Sequence, residues 1–512
     1  MALRWLVWVL CLGVIGEVQA QKQDYIWLSG YDSNATVDSA VLGYRFGTNV
    51  MDFNFTQVSV FHDSLSMNFD QTNTSYCDSD GNLLFYTNGI YVANATNELI
   101  VNGDGLNLGY LDEVWDPTIQ QYGYRHVQGI LALPSISMKN SYLLIHSFTD
   151  TSLGGFNIFN PKILVSFLNM NENSGRGLMV YKNRTLLEGN FASEVLATKH
   201  GNGRDWWIMI QGRNSNCYYP VLLNDTGFVN YPLNCMGMAS SDSDIGTAAF
   251  SPDGRKYVSY SITTGVNIFD FDRCSGELDN PLFYPLNIWT DSAWLGNGVA
   301  FSPNSRFLYV CVTKFVLQFD MWAHDILGSV DTVAYYDGYK LPFGSFFDVA
   351  QEGPNGNIYI SCGNTEADYH VILNPDKKGD SCNFQQHGLR LPALSAGVPN
   401  FPNYRLGAQT GSACDTLSTA TQDIRDAREQ ILKVFPNPAT DVTTVDYGFT
   451  DWNKGLVSLQ ITDALGQVVY TQPLPMYSGF QRLDISRFAA GLYNVAIKRS
   501  GATVAVSKLV KQ

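Results

Sequence analysis

Phe250-Ser251-Pro252-Asp253-Gly254, with Lys256-Tyr257-Val258-Ser259-Tyr260 close behind it, decides the fold because the phrase returns at a fixed interval. Phe301-Ser302-Pro303-Asn304-Ser305 follows, then Gln351-Glu352-Gly353-Pro354-Asn355-Gly356, and the prolines at 252, 303 and 354 stand 51 residues apart. Proline fixes φ ahead of an Asp-Gly or Asn-Gly pair that tolerates positive φ, so each phrase is a tight turn. Short β-rich segments flank it: Gly246 to Phe250 before the first turn, and Phe307 to Val310 and Asn357 to Ile360 after the later two. Each unit therefore opens with a hairpin.

Gly201-Asn202-Gly203-Arg204-Asp205, leading into Trp206-Trp207-Ile208-Met209-Ile210, lies one further period upstream. Looser copies start at Asp80-Gly81-Asn82 and Lys139-Asn140-Ser141, which makes six. Within one unit Val266 to Phe271 reads as a third strand, and a Ser275-Gly276 turn leads to a fourth; Val316 to Asp320 and Thr332 to Tyr336 repeat them. A period near fifty with four short strands per unit is that of β-propeller blades, which bury both faces only by stacking on neighbours. Helical solenoids need a 3.6-residue apolar period that these segments lack, and β-helix rungs are far shorter. The expectation is an all-β chain with a propeller of about seven blades, six or eight being the alternatives. Residues 21 to about 75 are the segment expected to close the ring by completing the blade at the other end.

The phrase F-S-P-D-G before a strand resembles the TolB-like, PD-type propeller repeat. Asn82 to Gly89, Gln128 to Pro134 and Val398-Pro399-Asn400-Phe401 are similar to phrases in propellers of large bacterial surface proteins exported by type IX secretion. That likeness spans about residues 25 to 405 and implies no particular activity.

Of the 512 residues 45% are hydrophobic and 15% charged, which describes a packed globular chain with room for two or three domains. Met1 to Arg4, the apolar run Trp5 to Ile15 and Val18-Gln19-Ala20 read as a signal peptide over 1–20, cleaved after Ala20. No later run is long and apolar enough to span a bilayer, so no transmembrane segment is expected in the mature chain. Eight cysteines remain beyond Cys11, an even number that suits disulfides after export. Cys217 with Cys235 and Cys362 with Cys382 are the first pairs expected; for Cys311 and Cys362 a small buried residue is the equal alternative. The net charge of −15 argues against nucleic acid as a partner and against anionic lipid. It is uneven, with +3 over residues 433–512 and −18 over the rest.

The propeller is expected over 21–410 and a linker with a short helix over 411–432, the helix resting on Ile424, Ala427 and Ile431. From 433 to 512 the signals are again β, without the blade period, and suit a small Ig-like β-sandwich. The carrying phrases are Phe435-Pro436-Asn437-Pro438-Ala439, Ile461-Thr462-Asp463-Ala464-Leu465-Gly466-Gln467, Ala490-Gly491-Leu492-Tyr493-Asn494-Val495 and Lys508-Leu509-Val510-Lys511. This segment closely resembles the type A C-terminal sorting domain of type IX secretion substrates. The resemblance implies Pro436, Asn437, Pro438, Asp463, Gly466, Gly491, Tyr493, Lys508 and Lys511 as the sorting motif. It further implies recognition by the outer-membrane export machinery, removal of the domain, and release or attachment to surface lipopolysaccharide, on the outer surface of a bacterium or in its medium.

Chemistry-bearing patterns are sparse. Asp78 and Asp80 open an EF-hand-like loop, but the twelfth position is Gly89 and not Glu, so a plain hairpin turn is favoured over a metal site. Asp242 and Asp244 precede an inner strand and would stand at the mouth of a central channel; solvated loop carboxylates are the plainer reading. His200 has no nucleophile or acid to work with. Trp289, Trp294 and Trp322 would suit sugar rings if exposed, although blade packing is the commoner use of such rings. No metallohydrolase, phosphate-loop or dinucleotide motif occurs, and no catalytic residue, metal or cofactor is assigned. The expected function is a non-catalytic binding module for a glycan or protein ligand. The alternative is a propeller hydrolase or lyase acting on polysaccharide or peptide, whose carboxylates converge from separate blades and leave no linear motif.

Overall fold

The computed structural model describes residues 21–31, 44–109, 123–124, 126–150, 159–240, 246–286, 298–363, 366–415, 431–448, 457–474, 478–499 and 502–512. The signal peptide expected at 1–20, with Ala20, lies outside them, as do Asp242, Asp244, Trp289 and Trp294. The described chain is all-β apart from short 3-10 turns.

The repeated phrase builds what its chemistry dictates. Gly246–Phe250 pairs antiparallel with Lys256–Ser261, Phe250 opposite Tyr257. In the turn between them Ser251 Oγ donates to Asp253 Oδ1 at 2.6 Å and accepts from the Lys256 N–H at 2.9 Å. Ser302 repeats this with Asn304 Oδ1 and the Phe307 N–H, both at 2.8 Å. The positive φ falls on Gly254 (69°), Ser305 (61°) and Gly356 (79°), where glycine is cheapest and serine is tolerated.

Three four-stranded sheets follow from these turns. The fifth sheet of the chain comprises Gly246–Phe250, Lys256–Ser261, Gly265–Phe271 and Leu278–Pro285. The sixth is Val299–Phe301, Phe307–Val312, Phe315–Asp320 and Asp331–Tyr335, and the seventh Ala350–Glu352, Ile358–Ile360, Glu366–Ile372 and Phe384–Ser395.

Upstream, the third and fourth sheets are fused, because the 22-residue strand Leu178–Lys199 is the last strand of one and the first of the next. It pairs with Phe159–Asn169 up to Phe191 and with Trp206–Gly212 from Phe191 on, with register shifts between. The second sheet is Thr74–Cys77, Leu83–Thr87 and Val92–Asn94. The first is Ile26–Tyr31, Gly47–Asp52 and Ser59–Asp63, so the N-terminal segment builds a sheet of its own rather than adding one strand elsewhere.

Apolar faces join each sheet to the next. Val258 and Ile268 of the fifth share a core with Val310 and Phe319 of the sixth, and Tyr309 and Val316 of the sixth share one with Ile358 and Ile372 of the seventh. The last sheet meets the first: the Trp27 and Tyr359 rings are 5.5 Å apart edge to face, and Asn49 bonds both backbone groups of Ala393, at 2.9 and 2.8 Å.

Residues 431–512 form two antiparallel sheets over one apolar core. Ile431–Phe435, Val442–Gly448 and Ser478–Asp484 make the first, and Val468–Pro473, Val457–Thr462, Gly491–Arg499 and Ala502–Lys511 the second. Val445 and Tyr447 meet Leu459, Val495 and Leu509 between them. The helical spacing that ended on Ile431 does not hold there, because Ile431–Phe435 pairs as a strand with Val442–Gly448, Ile431 opposite Gly448. Ile424 and Ala427 lie outside the described residues.

Candidate functional site

The first strands of successive sheets adjoin one another, and the chain beyond the last sheet runs back across them. Beyond Ser395 residues 396–415 form no strand and run across the first strands of the other sheets. Asn400, 4% exposed, donates through Nδ2 to the Ile130 and Val195 carbonyls at 2.9 and 3.1 Å, and its own carbonyl accepts from Thr74 Oγ1 at 3.0 Å. Phe401 packs 5.9 Å from Trp27, and Tyr404 donates to the Ala132 carbonyl at 2.7 Å. Asn403 Nδ2 donates to the Pro252 carbonyl of the first turn at 2.9 Å. Farther along, Arg273 Nη2 donates to the Gly407 carbonyl at 2.6 Å, and Cys414 is disulfide-bonded to Cys274. The strap thus continues past residue 410 to a covalent tie on the fifth sheet.

Beside this strap lies a cavity of about 80 Å³ lined by Ala248, Ala300, Gln351, Glu352, Asn400 and Arg405 among others. A polar cavity of this size has room for several ordered waters. Its charges are mutually engaged. Arg405 Nη1 lies 2.6 Å from Asp24 Oδ1, and burial pushes the Glu352 carboxyl up to about 7, against the opposing pull of Arg405 and with help from Asp24.

The Asp78 and His200 side chains are engaged in their own local turns. Asp78 Oδ1 accepts from the Asp80 and Asn82 N–H groups, both at 2.9 Å, and its Oδ2 accepts from Asn82 Nδ2 at 3.0 Å, which spends the carboxylate on a hairpin turn. His200 Nδ1 accepts from the Asn202 N–H at 3.1 Å and its Nε2 faces the Cys274 carbonyl at 3.2 Å, so both ring nitrogens are engaged. Cys217 and Cys235 form the expected disulfide. Cys362 and Cys382 do not: both are free and buried, Cys362 donating to the Asp368 carbonyl at 3.0 Å while Cys382 sits beside Tyr309. Among the described residues no group of three or more His, Cys, Asp or Glu could hold a metal ion. Trp322 is 66% exposed, with the Arg306 guanidinium 5.2 Å from its ring.

Sequence reasoning missed a polar network in the seventh sheet. Where Val258 faces Ile268 and Tyr309 faces Gln318, the corresponding residue Ile360 faces His370; two residues earlier on the same strands stand Val266, Val316 and Asp368. His370 is fully buried, held neutral because burial pushes it down to about 3, and it accepts at Nδ1 from the His387 N–H at 3.2 Å. Asp368 binds Arg390 Nη1 at 2.9 Å, and Glu366 beside it is buried and pushed up to about 7 by that burial. Backbone groups of Phe343 and Leu341 and the Ser345 hydroxyl offset part of the cost at Glu366. The network sits under the connection 336–349, where Tyr339 and Phe343 are exposed.

In residues 433–512 the motif residues mostly tie turns and edges. Asn437 donates to the Lys508 carbonyl at 2.7 Å and accepts from the Val510 N–H at 2.8 Å, pinning the Pro436 to Pro438 opening to the last strand, and Lys511 bridges Ala439. Asp463 Oδ1 accepts from the Leu465 and Gln467 N–H groups, both at 2.9 Å, with Gly466 at φ 81°. Tyr493 is buried and its hydroxyl donates to the Ala489 carbonyl at 2.8 Å, while Gly491 opens its strand.

Residues 433–512 match the secretion system C-terminal sorting domain family. The protein is therefore a substrate of type IX secretion, exported to the cell surface or secreted, and it engages the type IX export machinery. No curated protein matches the chain. Among solved structures it is similar to a putative 6-phosphogluconolactonase from Bacteroides uniformis (12% identity, 90% of this chain and 100% of that one, TM-score 0.33). It is also similar to the dihydro-heme d1 dehydrogenase NirN (10%, 76% and 77%, TM-score 0.34) and the Dos1 propeller (10%, 62% and 70%, TM-score 0.33).

Proposed function

We propose that the mature protein is a surface-displayed or released seven-bladed β-propeller that acts as a non-catalytic binding module, delivered by an Ig-like sandwich at residues 433–512. Seven sheets in succession, with the last packed on the first, support the ring, the long strand Leu178–Lys199 counting in two blades. On this reading the body runs from residue 21 through the strap, and the sorting motif residues hold the fold that the export machinery recognises. Attachment to lipopolysaccharide or release follows removal of the sorting domain.

The observation that carries the binding reading is the strap across the first strands. A glycosidase that works from a propeller channel needs room for a glycosidic bond between two free carboxylates. Here the segment around Asn400 and Tyr404 crosses that position, and Asp24 is committed to Arg405. Ligand contacts then come from the loops that connect the blades.

The test is a glycan and peptide array with the full secreted chain, reading retained ligand and released product from the same wells. Binding with intact ligand is expected. Product formation that survives Asp24→Asn but is lost in Asp242→Asn or Asp244→Asn would overturn the non-catalytic reading.

A further inference from the structure

We infer that the connection 336–349, together with residues 386–390 of the last strand of the seventh sheet, is a saccharide-binding site in which the Tyr339 ring stacks on a pyranose and Asp337 and Arg390 bind its hydroxyls. This rests on the binding-module reading and names its site and ligand class.

Three aromatic side chains stand exposed within nine residues: Tyr335 at 68%, Tyr339 at 38% and Phe343 at 56%. Exposing large rings costs hydrophobic free energy, and a cluster of them marks a contact surface more often than chance. Tyr339 is fixed in place. Its ring lies 4.2 Å from that of His387, its N–H donates to Asp337 Oδ1 at 2.9 Å, and its carbonyl accepts from the Tyr336 hydroxyl at 2.5 Å. Asp337 in turn faces His387 Nε2 at 3.2 Å, and Gln386 holds the start of the loop by donating to the Tyr335 carbonyl at 3.0 Å. An aromatic face that is already ordered loses little entropy on binding, which is what stacking on a sugar ring needs.

Beneath the loop lies the part that packing alone does not explain. Asp368 and His370 stand where the two preceding sheets carry Val316 with Gln318 and Val266 with Ile268. Burying ionisable groups is expensive, and here they do specific work. Asp368 orients Arg390, whose side chain is 47% exposed beside Tyr339, and His370 holds the backbone at His387, which sits at φ 52°. A supporting layer of this kind under exposed recognition groups is how a binding site is held to geometry. Arg390 is paired with the buried Asp368, and Asp337 accepts from the Tyr339 N–H, so the surface offers hydrogen bonds with no excess of positive charge, and the body is strongly acidic. That combination suits a neutral saccharide over an anionic one.

Isothermal titration of the full secreted chain with cellohexaose, mannohexaose and xylohexaose tests this. At least one is expected to bind, with Tyr339→Ala weakening it about tenfold or more and Tyr339→Phe within about threefold of wild type, since the stacked face is kept. Asp337→Asn, which leaves the rings in place, is expected to weaken it severalfold, and Trp322→Ala, distant on the sixth sheet, to change nothing. Saccharide binding that survives Tyr339→Ala and Asp337→Asn unchanged overturns this site and leaves the binding module standing. Binding of peptides but of none of the three saccharides overturns the ligand class. Absence of binding to both classes overturns the site and the module together. Unchanged thermal unfolding of each variant shows that a loss is local.

Discussion

Arg405 Nη1 sits 2.6 Å from Asp24 Oδ1, joining residues 381 positions apart at the place where the end of the repeat region returns to its beginning. Asp24 is almost fully buried and Arg405 about one third exposed, so the two partners are not equivalent. Removing the arginine strands a buried carboxylate, whereas removing the acid leaves a guanidinium that water reaches. Arg405→Ala is therefore expected to cost about 3 kcal/mol and Asp24→Asn about 1–2 kcal/mol, measured by urea unfolding. Equal costs would show that the pair is solvent-screened.

Asn400 is the central contact of the strap, with its side-chain donors on two sheets and its carbonyl held by a third. Asn400→Ala leaves buried carbonyls without partners, at roughly 2–4 kcal/mol in total. Phe401→Ala should cost about 3–5 kcal/mol through the cavity left beside Trp27. Hydrogen exchange is expected to rise in the first strands of several sheets at once, since the strap touches them together.

The disulfide between Cys274 and Cys414 closes a loop of sequence separation 140, against 18 for Cys217 with Cys235. In the chain-entropy account the longer loop stabilises by about 1–2 kcal/mol more. Cys414→Ser should thus lower the melting temperature further than Cys235→Ser, read by calorimetry without reductant. Thiol titration of the unfolded mature protein should find four free cysteines, Cys77, Cys311, Cys362 and Cys382.

Glu352 provides a pH test. Its folded-state value of about 7 lies above the 4.5 of an ordinary glutamate, so the unfolded chain loses its proton first as pH rises. The folded state then holds the extra proton between these values, and stability falls as pH rises from about 4.5 through 7. Glu352→Gln removes the penalty. It should match wild type at pH 4 and exceed it at pH 8 by roughly 1 kcal/mol or more, in denaturant unfolding at both pH values.

Export depends on residues 433–512. Their deletion should leave the protein inside the cell, as read by immunoblot of cell fractions and medium. Asn437→Ala, which frees the opening from the last strand, should reduce export by weakening the fold that presents the motif.

The repeat was legible because its cause is local. Ser251, Pro252, Asp253 and Gly254 satisfy one another within a few residues, so the turn and its two strands follow from sequence in each of three sheets. Cys217 with Cys235 was legible for the same reason, being close in sequence on neighbouring strands. Cys362 with Cys382 failed although equally close, because the two thiols face different neighbours, one the Asp368 carbonyl and the other Tyr309. Ile431, the last position of the expected helical spacing, lies in a strand whose partner is Val442–Gly448, a pairing that local spacing does not encode.

Sequence alone therefore determined the all-β class, the hairpin that opens each repeat and the sorting segment, since each rests on short-range backbone chemistry or on consecutive phrases. Only the tertiary structure decided that Val398 to Cys414 runs across the first strands of several sheets, that Cys274 meets Cys414, and that Asp368 and His370 lie beneath Tyr339. Those relationships bring together residues tens to hundreds of positions apart, and they are selected by burial and hydrogen-bond satisfaction once the sheets have stacked, so no periodicity records them.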